Sequence, residues 1–169
     1  MKNKKVLFLV QAAMIAAVYV ALTFMSAAFG LSSGTIQIRI SEALCVLPVF
    51  TPAAIPGLWL GCFLANLLTG GIILDVVFGS IATLLGAVGT YLMRKHKVLC
   101  TVPPVIANMI LVPIVLRYGY GLKMEIEGSD WSLPFYALTV GIGEVIGVML
   151  LGRILLLALE KYQWKMTQD

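Results

Sequence analysis

The sequence predicts an all-α integral membrane protein: six transmembrane helices forming a single domain over residues 1–169, with both termini cytoplasmic. Three observations predict it. Hydrophobic residues make up 60% and charged residues 12% of the 169, and the mean hydropathy is +0.99. Soluble domains carry about 25% charged residues and leave roughly a third of their surface exposed at this size, too much to coat with such a composition. The apolar stretches are also continuous and rich in Leu, Ala, Gly and Val, without the alternation that β-barrel strands show over about 10 residues. Finally, basic residues gather between alternate stretches. An ordinary cytoplasmic enzyme, a disordered regulator and a disulfide-rich secreted domain are excluded.

The first element opens on Lys2, Lys4 and Lys5 and runs apolar from Val6 to about Phe29. Ser26-Ala27-Ala28 resembles a cleavage site, but signal-peptide cores span only about 7–15 residues, so this one is expected to stay as a helix. A second helix is predicted from Arg39 to Pro48, with Pro48, Pro52 and Pro56 marking the turn after it. The third runs from Ala54 to Leu68 and is separated by Thr69-Gly70-Gly71 from the fourth, Ile72 to Met93. The fifth extends from Cys100 to Leu116 and the sixth from Leu133 to Leu159. At about 20 residues per span, six spans use about 120 residues and leave only short loops.

Charge placement orients the bundle. With the N-terminus inside, Lys2, Lys4, Lys5, Arg94, Lys95, Lys97, Lys161 and Lys165 all fall in the cytoplasm, as the positive-inside rule requires. Arg39, Arg117 and Lys123 fall outside with the acidic group Glu125, Glu127 and Asp130, and Arg153 lies near the inner end of the last helix. The net charge of +4 is thus accounted for by the membrane rather than by nucleic acid.

A charge at the bilayer centre costs about 2.5–3.5 kcal/mol on insertion scales, so polar residues inside the spans are functional candidates. They are few, and nearly all fall in the outer half: Gln37, Arg39 and Glu42 open the second helix, Asn66 closes the third and Asp75 opens the fourth. Asn108 lies mid-way along the fifth, and Glu144 lies about 16 Å below the outer end of the sixth at 1.5 Å per residue. Alternatives remain open for each. Arg39 and Glu42, three apart, form either an ion pair or part of a ligand site. Asp75 complements a helix dipole or meets a ligand; Asn108 bridges helices or binds; Arg117 reaches the interface by snorkelling. Glu144 has no basic neighbour within a turn, and Gly141, Gly143 and Gly147 are expected to clear space around it.

No motif for covalent chemistry is present. The sequence lacks a phosphate-binding Gly-x-x-x-x-Gly-Lys-Ser/Thr loop and a His-Glu-x-x-His metal pair, and its single histidine, His96, sits in a basic loop. Cys45, Cys62 and Cys100 are spread through apolar segments as buried free thiols, without metal or disulfide spacing. The first helix carries overlapping small-x-x-x-small spacing at Ala12, Ala13, Ala16, Ala17 and Ala21, suited either to internal packing or to a partner helix. An outward-facing polar site with no engine of its own suggests a capture subunit.

Several runs resemble the QueT family: Gln37-Ile-Arg-Ile-Ser-Glu-Ala-Leu44, Phe50-Thr-Pro-Ala-Ala-Ile-Pro-Gly57, Gly61-Cys-Phe-Leu-Ala-Asn66 and Ile73-Leu-Asp-Val-Val-Phe-Gly-Ser80. Pro103-Pro-Val-Ile-Ala-Asn108 and Leu138-Thr-Val-Gly-Ile-Gly-Glu144 extend the likeness in order along nearly the whole chain. The resemblance implies a substrate-binding (S) component of an energy-coupling factor importer in the prokaryotic plasma membrane, taking up queuosine precursors. It implies six helices, an alanine-rich docking face on the first, and a transmembrane T component with two ATPases that consume the ATP. It further implies that the S component topples to release its cargo. The chain itself would need no cofactor and perform no catalysis. For a deazaguanine cargo, Glu144 is expected to accept the paired N–H and amine, and Asn66, Asn108 or Gln37 to donate to its carbonyl and ring nitrogens. Asp75 or Glu42 would meet an aminomethyl cation. Phe78, Tyr136 or Trp59 would stack on the base, and the Gly30–Ile38 loop would serve as a lid. The alternatives are an S component for another vitamin-like solute and a self-sufficient carrier. A lipid-modifying enzyme is disfavoured by the lack of clustered carboxylates or a nucleophile pair.

Overall fold

The computed structural model describes residues 3–31 and 36–161. Helix α1 spans Lys4–Ala28, and a 3₁₀ helix follows at Ile40–Val49. Next come α2, Ala54–Leu68, and α3, Ile73–Leu92. Helix α4, Val102–Ile114, is preceded by a 3₁₀ turn at Leu99–Thr101 and continues as a π-helical turn over Val115–Gly119. Helix α5, Ser132–Glu144, passes through a π-helical stretch, Val145–Leu151, into α6, Gly152–Lys161. Among the described residues, four stretches are long and apolar enough to cross a membrane: Lys4–Ala28, Ile73–Leu92, Leu99–Gly119 and Ser132–Lys161.

The second segment departs from expectation. In place of an α-helix from Arg39 to Pro48, residues 37–39 are non-helical, with Arg39 extended, and Ile40–Val49 form a 3₁₀ helix. Ten residues at about 2.0 Å each cover about 20 Å, and α2 covers about 22 Å, both short of a hydrocarbon core of about 30 Å. The physical reason is burial: Ser41 to Pro48 are all enclosed by other helices. Irregular backbone at membrane depth is tolerated where protein surrounds it. The chain there is satisfied locally, the amide of Ile38 bonding the Leu31 carbonyl at 2.9 Å and that of Ile40 bonding Ser26 Oγ at 2.8 Å.

Contacts between segments show an alternating up-and-down bundle. Helices α1 and α2 run parallel, because Ala12 meets Gly57 while Ala16 and Tyr19 meet Gly61. A Cβ on Gly57 would stand 2.8 Å from the Ala12 carbonyl oxygen, and one on Gly61 would stand 2.8 Å from Tyr19 Cβ, so the two glycines permit this close approach. The α2–α3 turn is antiparallel, with the Asn66 amide donating to the Asp75 carbonyl at 3.3 Å. Helices α3 and α4 are also antiparallel, Thr90 Oγ1 donating to the Cys100 carbonyl at 2.9 Å. The 3₁₀ segment runs alongside the π stretch in the same direction: Gln37 rests on Gly143, Arg39 and Glu42 on Gly147, and Val46 on Gly152.

The core lies between α1, the 3₁₀ helix and α2, where Ile15, Tyr19, Leu44, Leu47 and Leu58 pack together. The outside is apolar as well, Ile73 being 81% and Leu92 72% exposed, as lipid contact requires. Lys97 Nζ reaches Glu160 Oε2 at 2.9 Å, placing the basic α3–α4 connection at the same end of the bundle as the end of α6. At the opposite end, Glu125–Ile126 (β1) and Ser129–Asp130 (β2) form a small hairpin. Its two-residue turn, Glu127 and Gly128, has φ of 50° and 79°, the pair of positive values that a tight hairpin demands. Lys2, Lys165 and part of the Gly30–Ile38 loop lie outside the described residues.

Candidate functional site

At the hairpin end lies a pocket, partly open to the exterior, with about 40 Å³ of room for the centre of a water-sized molecule. It is lined by Gln37, Arg39, Glu42, Cys62, Asp75, Gly79, Thr83, Asn108, Val112, Val140 and Glu144. Of the residues singled out from sequence, Gln37, Arg39, Glu42, Asp75, Asn108 and Glu144 converge here from residues 37–39, the 3₁₀ helix, α3, α4 and α5. Asn66 stands immediately behind, its Oδ1 accepting from Arg39 Nη1 at 2.9 Å.

That bond is made instead of an Arg39–Glu42 ion pair, one of the two alternatives their spacing left open. Arg39 precedes the 3₁₀ helix with extended dihedrals, φ −104° and ψ 115°, so the i to i+3 geometry does not apply and its guanidinium swings across to α2. Asn66 is committed on both sides, because its amide also donates to the Asp75 carbonyl and contacts Cys62 Sγ at 3.6 Å. Glu42 is held twice: Oε1 accepts from the Tyr19 hydroxyl, and Oε2 accepts from Cys45 Sγ at 3.2 Å. Asp75 sits in the first turn of α3, as the dipole favours, and Oδ2 accepts from the Tyr120 hydroxyl at 3.2 Å.

Glu144 differs from the others. Its Oε2 is buried without a hydrogen-bond partner, although Asn108 is a neighbour and Glu42 opposes it as a like charge. An unpaired buried polar atom costs about 1–3 kcal/mol, so its retention at a cavity wall points to a donor supplied from outside the chain. Glu144 is also the last residue before the π stretch, and π turns inside α-helices frequently mark functional sites.

The glycines around Glu144 do something other than expected. Gly143 and Gly147 admit the backbone of residues 37–42, and Gly141 admits Met109, whose Sδ would stand 2.9 Å from a Cβ there. The expected stacking aromatics are not among the lining residues: Phe78 and Trp59 are exposed, and Tyr136 packs edge-on against Phe135. Val112 and Val140 supply the apolar walls instead. Sequence reading overlooked Cys62, Thr83 and the supporting Tyr19. Tyr19, Thr23 and Ser26 form a polar stripe at i, i+4 and i+7 on α1, a spacing that could have revealed it.

Arg117 lies away from the cavity, donating to Asp130 Oδ2 through Nε at 2.8 Å and Nη2 at 2.6 Å. On α1, Ala12 and Ala16 face inward against α2, whereas Ala13, Ala17 and Ala21 are exposed. The three cysteines are buried and free.

What the arrangement can do is bind. It offers carboxyl groups from Glu42, Asp75 and Glu144 against one guanidinium, with amides from Gln37 and Asn108. Such a set can accept hydrogen bonds from the N–H groups of a small polar molecule.

The QueT transporter family matches residues 9–161. The "Queuosine precursor transporter QueT" of Lactococcus lactis subsp. cremoris (strain MG1363) is 35% identical over 98 residues, an alignment spanning 57% of this chain and 57% of that relative. No solved structure matches. The extent of the family match establishes that the chain belongs to the QueT transporter family, and its long apolar helices fit a multi-pass membrane protein.

Proposed function

We propose that the chain is the substrate-capture component of an energy-coupling factor importer and that its cavity binds a queuosine precursor bearing an aminomethyl group. The observation that carries this reading is the unpartnered, buried Oε2 of Glu144 at the cavity wall. A deazaguanine presents an N–H and an exocyclic amine side by side, which one carboxylate accepts in bidentate fashion. Gln37 and Asn108 donate to the carbonyl and ring nitrogens, and Val112 and Val140 cover the faces of the base. Glu42 and Asp75 set two carboxyl groups against the one guanidinium of Arg39, an excess that an ammonium on the cargo offsets and a nitrile does not. Glu42 receives that ammonium, with Asp75 as a second acceptor on the cavity wall.

In this reading the chain crosses the membrane six times, and the basic end bearing Arg94, Lys95 and Lys97 is cytoplasmic. The short second and third crossings are completed by residues 37–39 and by the α2–α3 turn. The cavity then opens to the outside. Exposed Ala13, Ala17 and Ala21 dock the T component, whose two ATPase subunits consume the ATP.

Calorimetric titration of the purified protein in detergent tests the assignment. The aminomethyl deazaguanine is expected to bind at least tenfold more tightly than the nitrile, with guanine and riboflavin silent. A nitrile that binds as well as the amine, or silence from folded protein across the panel, refutes it.

A further inference from the structure

Helix α1 is fastened to the cavity-bearing segment by a row of polar contacts along one face. Gln11 pairs with Thr51 at 3.2 Å, Tyr19 with Glu42, Thr23 with Ser41 at 2.9 Å, and Ser26 with the Ile40 amide at 2.8 Å. Three of these join groups outside the cavity. Tyr19–Glu42 alone ends on a cavity-lining side chain.

Tyr19 is fully buried and Glu42 is 4% exposed. The phenol does not itself line the cavity; it meets the carboxylate from behind. Gly61 makes this possible, because a side chain there would collide with Tyr19 Cβ. Cys45, one turn along the 3₁₀ helix, holds the other oxygen. A Glu side chain has three rotatable bonds, and with both oxygens tied from the protein side its orientation toward the cavity is settled before any ligand arrives. Preorganisation of this kind raises affinity by removing the ordering cost from the binding step.

We infer that Tyr19 is a positioning residue for the binding cavity, acting through Glu42 to present that carboxylate to the cationic part of the cargo. The inference rests on the proposed aminomethyl cargo for its affinity readout, and on Glu42 itself for a readout that needs no cargo.

A double-mutant cycle tests it. Tyr19→Phe is expected to weaken the aminomethyl deazaguanine about tenfold and the nitrile by less, since only the amine uses Glu42. In a Glu42→Gln background the same change is expected to have no further effect. A purely structural role for the phenol would lower both ligands alike and in both backgrounds, and either result overturns the inference. The ligand-free infrared spectrum supplies the second readout: the carboxylate band that disappears in Glu42→Gln is expected to shift in Tyr19→Phe. An unmoved band overturns the positioning role whatever binds. A shifted band in protein that binds nothing in the panel refutes the cargo and supports Tyr19 as the group that orients Glu42.

Discussion

The carbonyl oxygen of Gln37 occupies the space that Gly143 leaves by having no side chain. That one contact seats the segment 37–39 on α5 and delivers both Gln37 and Arg39 to the cavity wall. Gly143→Ala is expected to displace the segment, weakening the cargo at least tenfold and destabilising the fold by about 1–3 kcal/mol, the range for overpacking. Titration and thermal melting check the two effects, and wild-type affinity in the variant would sink the structural account.

Glu144→Gln is expected to separate function from stability. Loss of an acceptor oxygen facing the cargo weakens binding by about tenfold, about 1.4 kcal/mol. The same change removes a buried carboxyl opposed by Glu42, so the ligand-free protein is expected to melt a few degrees higher. A variant that melts lower and binds normally contradicts both halves.

The two faces of α1 are expected to respond differently to bulk. Ala16→Trp drives a large ring into α2, because Gly61 already lies against the Ala16 backbone, and the fold should fail. Ala17→Trp projects from the exposed face. It is expected to leave cargo affinity unchanged while abolishing co-purification with the T component. Normal co-purification would move the docking surface elsewhere.

Acid is expected to loosen the hairpin. Asp130 accepts from the Ser132 hydroxyl at 2.5 Å, from the Ser132 amide at 3.0 Å and from Arg117, and these bonds hold its carboxyl down at about 2 against an ordinary 3.8. The lowered value means that the folded hairpin favours the ionised form. The stabilisation is fully present above pH 3.8 and lost as pH falls through about 2. Amide-exchange protection at Met124, whose N–H bonds Ser132 Oγ, should decline across that window and not in Asp130→Asn.

Much of this architecture was legible in the sequence, and the failures share a cause. Apolar run lengths located the helices to within a few residues, because hydrocarbon thickness and backbone satisfaction leave little choice. Polar residues stood out for the same reason, so Glu144, Asn108 and Asp75 were found before any geometry. Tertiary enclosure is what sequence could not reveal. The 3₁₀ form of Ile40–Val49 depends on neighbours on every side. The turning of Arg39 toward Asn66 depends on α2 lying across from it. The glycines of α5 signalled empty space correctly, but the occupant is a backbone and not a ligand. Tyr19 went unnoticed because a tyrosine in an apolar helix reads as packing until its hydroxyl is seen to meet Glu42.

The seat that Gly143, Gly147 and Gly152 provide for residues 37–46 also dictates an order of assembly. The second segment emerges from the ribosome about a hundred residues before the helix that receives it, a long separation that slows pairing. Until α5 and α6 arrive, the 3₁₀ stretch is too short to span the bilayer and is covered only on the side that packs on α1, α2 and α3. The cavity is therefore completed after synthesis of the last helix. A nascent chain arrested before residue 143 would hold α1 and α3 in the lipid while remaining unable to recognise cargo.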